Sequence, residues 1–350
     1  MTNKKLRPHY DGLKVLSYNG IFTMVISNRN YGKTWCFKRR TFVRGIKHGK
    51  KTIWLRTFKK EVKQAINTFY TSADLQKFCG IIPYDPKTKT GNMKQIGNTF
   101  YCKRGKKWVW FLKIFAVSDA NGCRSADDVD TDTIVYDEFT TTGQCFKRYR
   151  GNIVDDFIDI YFSMKREHEV KCIFLGNKEN VLNPFLTYFG VKPLPSTFEG
   201  IKTYRDGSLV IEQINNKPIE KSTYDKKLKA LLQGTSYGMY IYDDAYKGTK
   251  NFKHCKPPAN ANEYIQLDIN NFTLKIWVAN GLFYVTSKID VNRRVFTLSI
   301  LNKYKNENLL LKRQKRNFIA FENAIADNRV AYENQVVFEA IQPFYKWLSI

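Results

Sequence analysis

The stretch IFTMVISNRNYGKT, residues 21–34, decides how this chain is read. Its opening, Ile21–Ile26, is an unbroken apolar run of strand length. Ser27, Asn28, Arg29, Asn30, Tyr31, Gly32, Lys33 and Thr34 follow, and then a helix-compatible segment, Trp35–His48. A strand, a loop closing in Gly-Lys-Thr and a helix make a phosphate-binding loop, with Ser27 where the pattern opens on glycine. Backbone N–H groups of such a loop and of the helix start point at phosphate oxygens. Gly32 permits close backbone approach, Lys33 answers the charge of the β and γ phosphates, and the Thr34 hydroxyl is a magnesium ligand. Ser27 turns the chain with less freedom than glycine. The competing reading is a basic turn that merely caps a helix.

A second motif separates the two. Thr133–Tyr136 is another apolar run, and it ends in Asp137 and Glu138. Asp137 is placed to hold the Mg²⁺ shell, and Glu138 to orient and polarise an attacking water. Together the motifs predict a nucleoside triphosphatase that uses ATP and Mg²⁺. Two further residues close strands. Arg56 follows the run Thr52–Leu55, and Asn177 follows Lys171–Leu175, where an amide can sense the γ-phosphate. A surface ion pair and a turn asparagine are the plain alternatives for these two.

Working outward, strand candidates at Ile21–Ile26, Thr52–Leu55, Trp108–Val117, Thr133–Tyr136 and Lys171–Leu175 alternate with helix-compatible Trp35–His48, Lys59–Tyr70 and Asp155–Glu169. That alternation predicts an α/β domain with a mostly parallel, helix-flanked sheet. The pattern changes after the Pro- and Gly-bearing segment Val191–Gly207. Leu209–Ile219 reads as a short hairpin around Asn215-Asn216, and Tyr224–Gln233 as a linker helix. Beyond it, Tyr264–Asp268, Phe272–Val278 and Leu282–Thr286 are strands, with an Asn280-Gly281 hairpin turn. Helices are expected at Lys312–Ala326 and Asn334–Leu348. The expected division is an ATPase domain at 1–200, a linker at 201–233 and a smaller α+β domain at 234–350.

Composition narrows the partners. The 350 residues are 43% hydrophobic and 15% aromatic, which excludes a disordered chain. The apolar runs are short, and neither a membrane span nor a secretory signal is expected. A net charge of +26 points to a polyanion, and the aromatic content without an amphipathic anchor favours nucleic acid over a membrane. Seven scattered cysteines without a CxxC pair read as reduced thiols. Lys87, Lys89, Lys94, Lys103, Arg104, Lys106 and Lys107 form an acid-free, glycine-punctuated stretch that is read either as a flexible hairpin tracking DNA phosphates or as a solvated surface hairpin, with Lys59 and Lys60 as a competing contact. Contacts of this kind fall on phosphates rather than on base edges. Asp127, Asp128, Asp130 and Asp132 are read as a solvated or inter-subunit surface rather than a nuclease site. Asp243, Asp244 and Asp268 do not assemble a two-metal set, so no nuclease activity is expected. The run Lys303, Lys305, Lys312, Arg313, Lys315 and Arg316 suits binding of an anionic partner, or is a wet helix face.

The segments LSYNG (16–20), SNRNYGKT (27–34), IWLRTFK (53–59), TIVYDEF (133–139) and CIFLGN (172–177) followed by NPF (183–185) carry a resemblance in order and spacing. It continues through FTLKIWVANGLFYV, residues 272–285. The chain resembles the DNA-packaging ATPases of small tailed phages of the phi-29 type. The resemblance implies an ASCE-type P-loop ATPase domain, a linker and a degenerate RNase H-like domain. It implies a homopentameric ring at the capsid portal, driving double-stranded DNA into the procapsid with a prohead RNA as scaffold. Such a ring works in the host cytoplasm, sits transiently at the portal vertex and is not expected in the mature virion. The family supplies basic residues in trans, and the aligned positions are Arg124 and the Lys165-Arg166 pair, where the finger position falls on Lys165. An arginine fork there is not replaced in kind by lysine. A helicase-like or replication ATPase acting on single strands, and a non-catalytic nucleic-acid-binding protein with a degenerate loop, are the alternatives.

Overall fold

Phe22–Ser27 forms β1, buried along nearly its whole length. A strand covered on both faces needs such a continuous apolar run, and parallel sheets supply that setting. The computed structural model describes residues 10–28, 31–70, 73–119, 130–140, 152–166, 168–178, 183–191, 194–195, 198–215, 223–233, 235, 253–269, 272–287, 290, 295–297, 308–309 and 316–349. They fall into two units, Met1–Asn180 with Pro195–Lys247, and Val181–Leu194 with Gly248–Ile350.

The first unit is built on a sheet of nine strands. After β1 come β2 (Thr52–Arg56), β3 (Met93–Ile96), β4 (Thr99–Arg104), β5 (Lys107–Ala116), β6 (Thr133–Asp137), β7 (Lys171–Asn177), β8 (Gly200–Tyr204) and β9 (Leu209–Ile214). Their spatial order is β3-β4-β5-β2-β6-β7-β1-β9-β8. From β5 to β9 every pairing is parallel. The outer strands β3, β4 and β8 are antiparallel. A strand, β7, stands between the loop-bearing β1 and the acidic β6. This is the additional strand of the ASCE arrangement. Helices α1 (Leu13–Leu16), α2 (Lys33–His48), α3 (Lys59–Thr68), α4 (Ala73–Cys79) and α5 (Ile153–Lys165) complete the ATPase fold.

Helix α2 starts at Gly32, whose φ of 90° is open to glycine, and stops at Gly49, φ 70°. Its buried face sets Phe42 against Phe69 and Phe111, with ring centroids 5.9 and 5.6 Å apart. Trp54 of β2 meets Phe69 edge-on at 4.9 Å. This aromatic cluster fixes α2, and with it the loop at its start, against the sheet.

Two expectations change. The hairpin read at Leu209–Ile219 is β8–β9, turning at Arg205 and Asp206, both at positive φ, and β9 pairs with β1. Residues 200–214 therefore belong to the first sheet, which replaces the boundary at 200 and the linker start at 201. The basic stretch read as a free hairpin forms β3, β4 and the start of β5, because Met93, Phe100, Cys102 and Phe111 alternate inward and join the core.

The second unit has β10 (Lys253–His254), β11 (Asn262–Ile269), β12 (Phe272–Ala279), β13 (Leu282–Thr286), β14 (Val295–Thr297), β15 (Asn308–Leu309) and β16 (Val330–Tyr332). Their order is β10-β16-β13-β12-β11-β14-β15. The meander β11–β12–β13 is antiparallel, while β14 runs parallel to β11 and β15 to β14. Numbered from β11, the order 3-2-1-4-5 with those directions is the RNase H-like topology. Asn280 and Gly281, both at positive φ, make the expected hairpin turn. The expected helix Asn334–Leu348 is two, Gln335–Ala340 and Gln342–Ser349. Pro343 lacks the N–H an unbroken helix would need.

Gly45 gives a test of the α2 packing. A Cβ there would lie 2.1 Å from Cδ2 and 2.7 Å from Cγ of Phe111, the root of a buried ring. Alanine gains about 1 kcal/mol of helix propensity, but overpacking this close to the root of a buried ring costs about 2–3 kcal/mol, the upper part of the usual range. Gly45→Ala is expected to lower stability by about 1–2 kcal/mol, read as a lower denaturant midpoint. An unchanged or raised midpoint would show that α2 is not packed this way.

Candidate functional site

Because β1, β7, β6 and β2 are parallel, their C-terminal ends share one edge of the sheet. Register sets Ser27 opposite Asn177, and Asp137 opposite Leu175. Leu55 faces Tyr136, so Arg56 and Asp137 emerge as neighbours. The sequence motifs meet here although they are up to 150 residues apart.

Lys33, the first residue of α2, is buried. Its Nζ donates to Ser27 Oγ at 2.5 Å, and to the Asn28 carbonyl and Asn177 Oδ1 at 3.3 Å. Ser27, the departure from glycine, thus becomes a ligand of the lysine. Burial lowers the Lys33 ammonium from its ordinary 10.5 to about 7, against the pull of Asp137 and Glu138. Lys178 adds repulsion. A buried cation with too little compensating charge is a cavity for an anion. Among the described residues no side chain caps α2, whose first turn carries no acid, so its amides face the same space.

Thr34 donates its hydroxyl to Asp137 Oδ1 at 3.0 Å. Asp137 is buried, and burial pushes its carboxyl above the ordinary range while Arg56 and the Thr34 bond hold it back. Arg56 Nη1 lies 3.6 Å from Asp137 Oδ2 and 2.8 Å from Glu138 Oε2. Glu138 sits at φ 60°, so the chain turns sharply as the strand ends and its carboxylate stands half exposed. The hard oxygens of Thr34 and Asp137 suit Mg²⁺. Asn177 receives further support, since its N–H donates to Thr140 Oγ1 at 2.7 Å. The Tyr31 ring lies 5.9 Å from that of Tyr10, whose hydroxyl donates to Glu212. Arg29 and Asn30 lie outside the described residues.

Sequence reasoning passed over three contributors. Lys38 lies four residues after Thr34 on the same helix face, a spacing that held the clue. Its ammonium stands over Phe69 at 4.4 Å and stabilises the Asp137 carboxylate. Lys178 is fully buried and donates to Asn215 Oδ1. Thr140 closes on Gly176, where any Cβ would meet its side chain at 2.6 Å. Thr140 and Lys178 lie just beyond the quoted segments 133–139 and 172–177, and nothing local in the sequence pairs them with Gly176 and Asn215.

Other expected residues fall elsewhere. Lys165 and Arg166 end α5, which returns the chain to the start of β7, the opposite sheet edge from Asn177. A strand of seven residues separates those edges by about 20 Å. They do not reach their own loop. Arg124 lies outside the described residues. Arg104 is not free for phosphate, because its Nη2 donates to the Gly45 and Ile46 carbonyls at 2.9 and 3.2 Å and closes the end of α2. Lys103, Lys106 and Lys107 remain exposed at the β4–β5 hairpin, and Lys60 at the start of α3. Lys59 beside it pairs with Asp119 at 3.0 Å. Asp130 and Asp132 pair with Lys51 and Lys50 of the same chain, so this acidic stretch ties β6 to β2 rather than facing a neighbour. Asp127, Asp128, Asp243, Asp244 and the basic run before Arg316 lie outside the described residues. Asp268 is buried in β11 with Oδ1 unbonded, and among the described residues no cluster of three metal-ligating side chains exists. Nor is any described helix long and apolar enough to cross a membrane.

Residues 3–347 match the model of the family described as Podovirus DNA encapsidation protein (Gp16). The DNA packaging protein of Bacillus phage PZA is 27% identical over 340 residues, 93% of this chain and 96% of that protein. A chain of the bacteriophage phi-29 viral genome packaging motor assembly shares the fold with TM-score 0.69 at 23% identity, covering 97% of this chain and 99% of its own. A chain of the Phi-28 gp11 DNA packaging motor does so with TM-score 0.60 at 16% identity, covering 97% and 98%. This P-loop chain, with its RNase H-like second unit, belongs to the podovirus DNA encapsidation protein family.

Proposed function

We propose that the chain is an ATP-hydrolysing motor that drives double-stranded DNA through a portal into a preformed procapsid. The observation that carries this reading is the meeting of Lys33, Thr34, Asp137, Glu138 and Arg56 at one sheet edge. A packaging family supplies the work to which hydrolysis is coupled.

The roles follow from the geometry. Lys33 and the α2 amides bind the β and γ phosphates. Thr34 and Asp137 hold Mg²⁺, which when bound shields phosphate charge. Asn177 orients the γ end beside Lys33. Glu138 accepts the proton of the attacking water once its carboxylate is free of Arg56, whose ion pair holds it in the resting arrangement. Arg56 ends β2, and Lys59 starts α3 three residues later. A shift of Arg56 that accompanies hydrolysis therefore moves Lys59 and Lys60, which grip DNA phosphates together with Lys103, Lys106 and Lys107. The position of Lys165 and Arg166 on the far edge supports action on a neighbour's nucleotide, as does the family pattern for Arg124. That requires a ring, and a pentamer at the portal vertex with a prohead RNA scaffold is the arrangement we adopt. The RNase H-like unit binds nucleic acid without cutting it.

Glu138→Gln is the direct test. It is expected to lower DNA-stimulated ATP hydrolysis at least about a hundredfold, with ATP binding kept within about twofold. Stimulation by duplex, rather than by single strands, is the expected pattern for the unaltered chain. Persistent turnover in the variant would remove Glu138 from the reaction. No turnover by the unaltered chain in any DNA-bound assembly would remove the enzyme.

A further inference from the structure

The outer face of β3–β5, opposite α2, is unlike an ordinary solvated sheet face. Trp108 and Trp110 are two residues apart on β5 and share that face, and Tyr101 stands opposite Trp110. Tyr84 meets Trp108 edge-on at 5.2 Å. These rings are partly exposed. Ammonium groups lie over them. Lys94 Nζ is 4.7 Å from the Trp108 ring and 5.7 Å from Tyr101, while Lys113 Nζ at 4.7 Å and Lys51 Nζ at 4.5 Å lie over Trp110, Lys51 also pairing with Asp130 at the border of the face. The three strands contain no acidic residue. A solvated sheet face ordinarily carries short polar side chains, and a duplex grip needs lysines but no rings, since paired bases hide their faces.

We infer that this face docks single-stranded nucleic acid, stacking unpaired bases on Trp108, Trp110 and Tyr101 while lysines hold the phosphates. Aromatic platforms interleaved with cations bind single strands in this way, with little sequence preference. Trp108 and Trp110 are about 7 Å apart along the strand, comparable with the spacing of neighbouring bases in an extended single strand. Lys94 and Lys113, which cover the rings in the free chain, swing to the phosphates when bases replace them. Rings read base faces and ammonium groups read phosphate, so RNA and DNA strands bind alike. The site adjoins the duplex grip assigned above to the hairpin tip, where Lys103 pairs with Trp108 across β4 and β5, and differs from it in using rings.

The test uses the full chain and fluorescence anisotropy of short labelled oligouridine and oligothymidine strands, with a blunt duplex in parallel. Trp108→Leu is expected to weaken both single strands about tenfold, while Trp108→Phe, which keeps a stacking ring, stays within about twofold. Lys94→Ala is expected to reduce the slope of log affinity against log salt by about one. Duplex affinity and melting temperature should not move in any of the three. Absence of single-strand binding, equal binding by Trp108→Leu, or a parallel loss of duplex affinity would overturn the inference. So would self-association of the chain that Trp108→Leu abolishes without changing single-strand affinity, which assigns the face to a second copy. None of these outcomes bears on hydrolysis at the loop.

Discussion

The structure turns on charge brought to the end of a sheet that has no room for it. β1, β6 and β7 are buried on both faces, and their register delivers Lys33, Asp137 and Asn177 to one edge. Taking an ammonium and a carboxylate out of water costs several kcal/mol each unless partners answer them. The partners present answer them only partly. Arg56 and Thr34 restrain Asp137, yet burial still raises its carboxyl, and Lys33 is held near neutrality. The site thus carries an electrostatic deficit whose remedy is a polyphosphate and a divalent cation. The aromatic cluster of Phe42, Phe69, Phe111 and Trp54 prevents α2 from relaxing away from that deficit.

The same edge carries the coupling proposed between hydrolysis and DNA. Glu138 leaves β6 through a left-handed residue and meets Arg56. Arg56 in turn closes β2 just before the lysines that open α3. In the function proposed above, this strand end links the carboxylate of Glu138 to the lysines of α3 through a few bonds. The rings and lysines on the outer face of β3–β5 are the basis of the single-strand docking inferred above.

Much of this was legible in the sequence. Strands buried on both faces write themselves as apolar runs, so β1, β2, β6 and β7 are legible, and β5 is legible from its aromatic run although one face is half-exposed. The loop and the Asp137-Glu138 pair carry fixed spacings with known chemistry. What escaped depended on tertiary choices. β3 and β4 are half-buried and lysine-rich, so their alternation was hidden by charge. Arg104 looked like a DNA contact because nothing local shows that the α2 carbonyls lie within its reach. Asp130 and Asp132 looked like a free acidic surface because Lys50 and Lys51 are distant in sequence. The edge pairing of β9 with β1 follows from the fold, and no turn signal encodes it. Lys178 and Asn215 met for the same reason.

The central claim is that Lys33 waits, partly deprotonated, for phosphate. Calorimetry of Mg-ADP binding at pH 8, in two buffers of different ionisation enthalpy, measures it directly. In the free chain burial pushes the Lys33 ammonium down from 10.5 to about 7, against the pull of Asp137 and Glu138. Between those values the free side chain is largely neutral, and an anion beside it restores the charged form. The account therefore predicts proton uptake on binding, approaching one proton per site at pH 8, falling away below pH 7 and lost in Lys33→Met. Binding with no proton uptake, or with uptake retained in Lys33→Met, would contradict it.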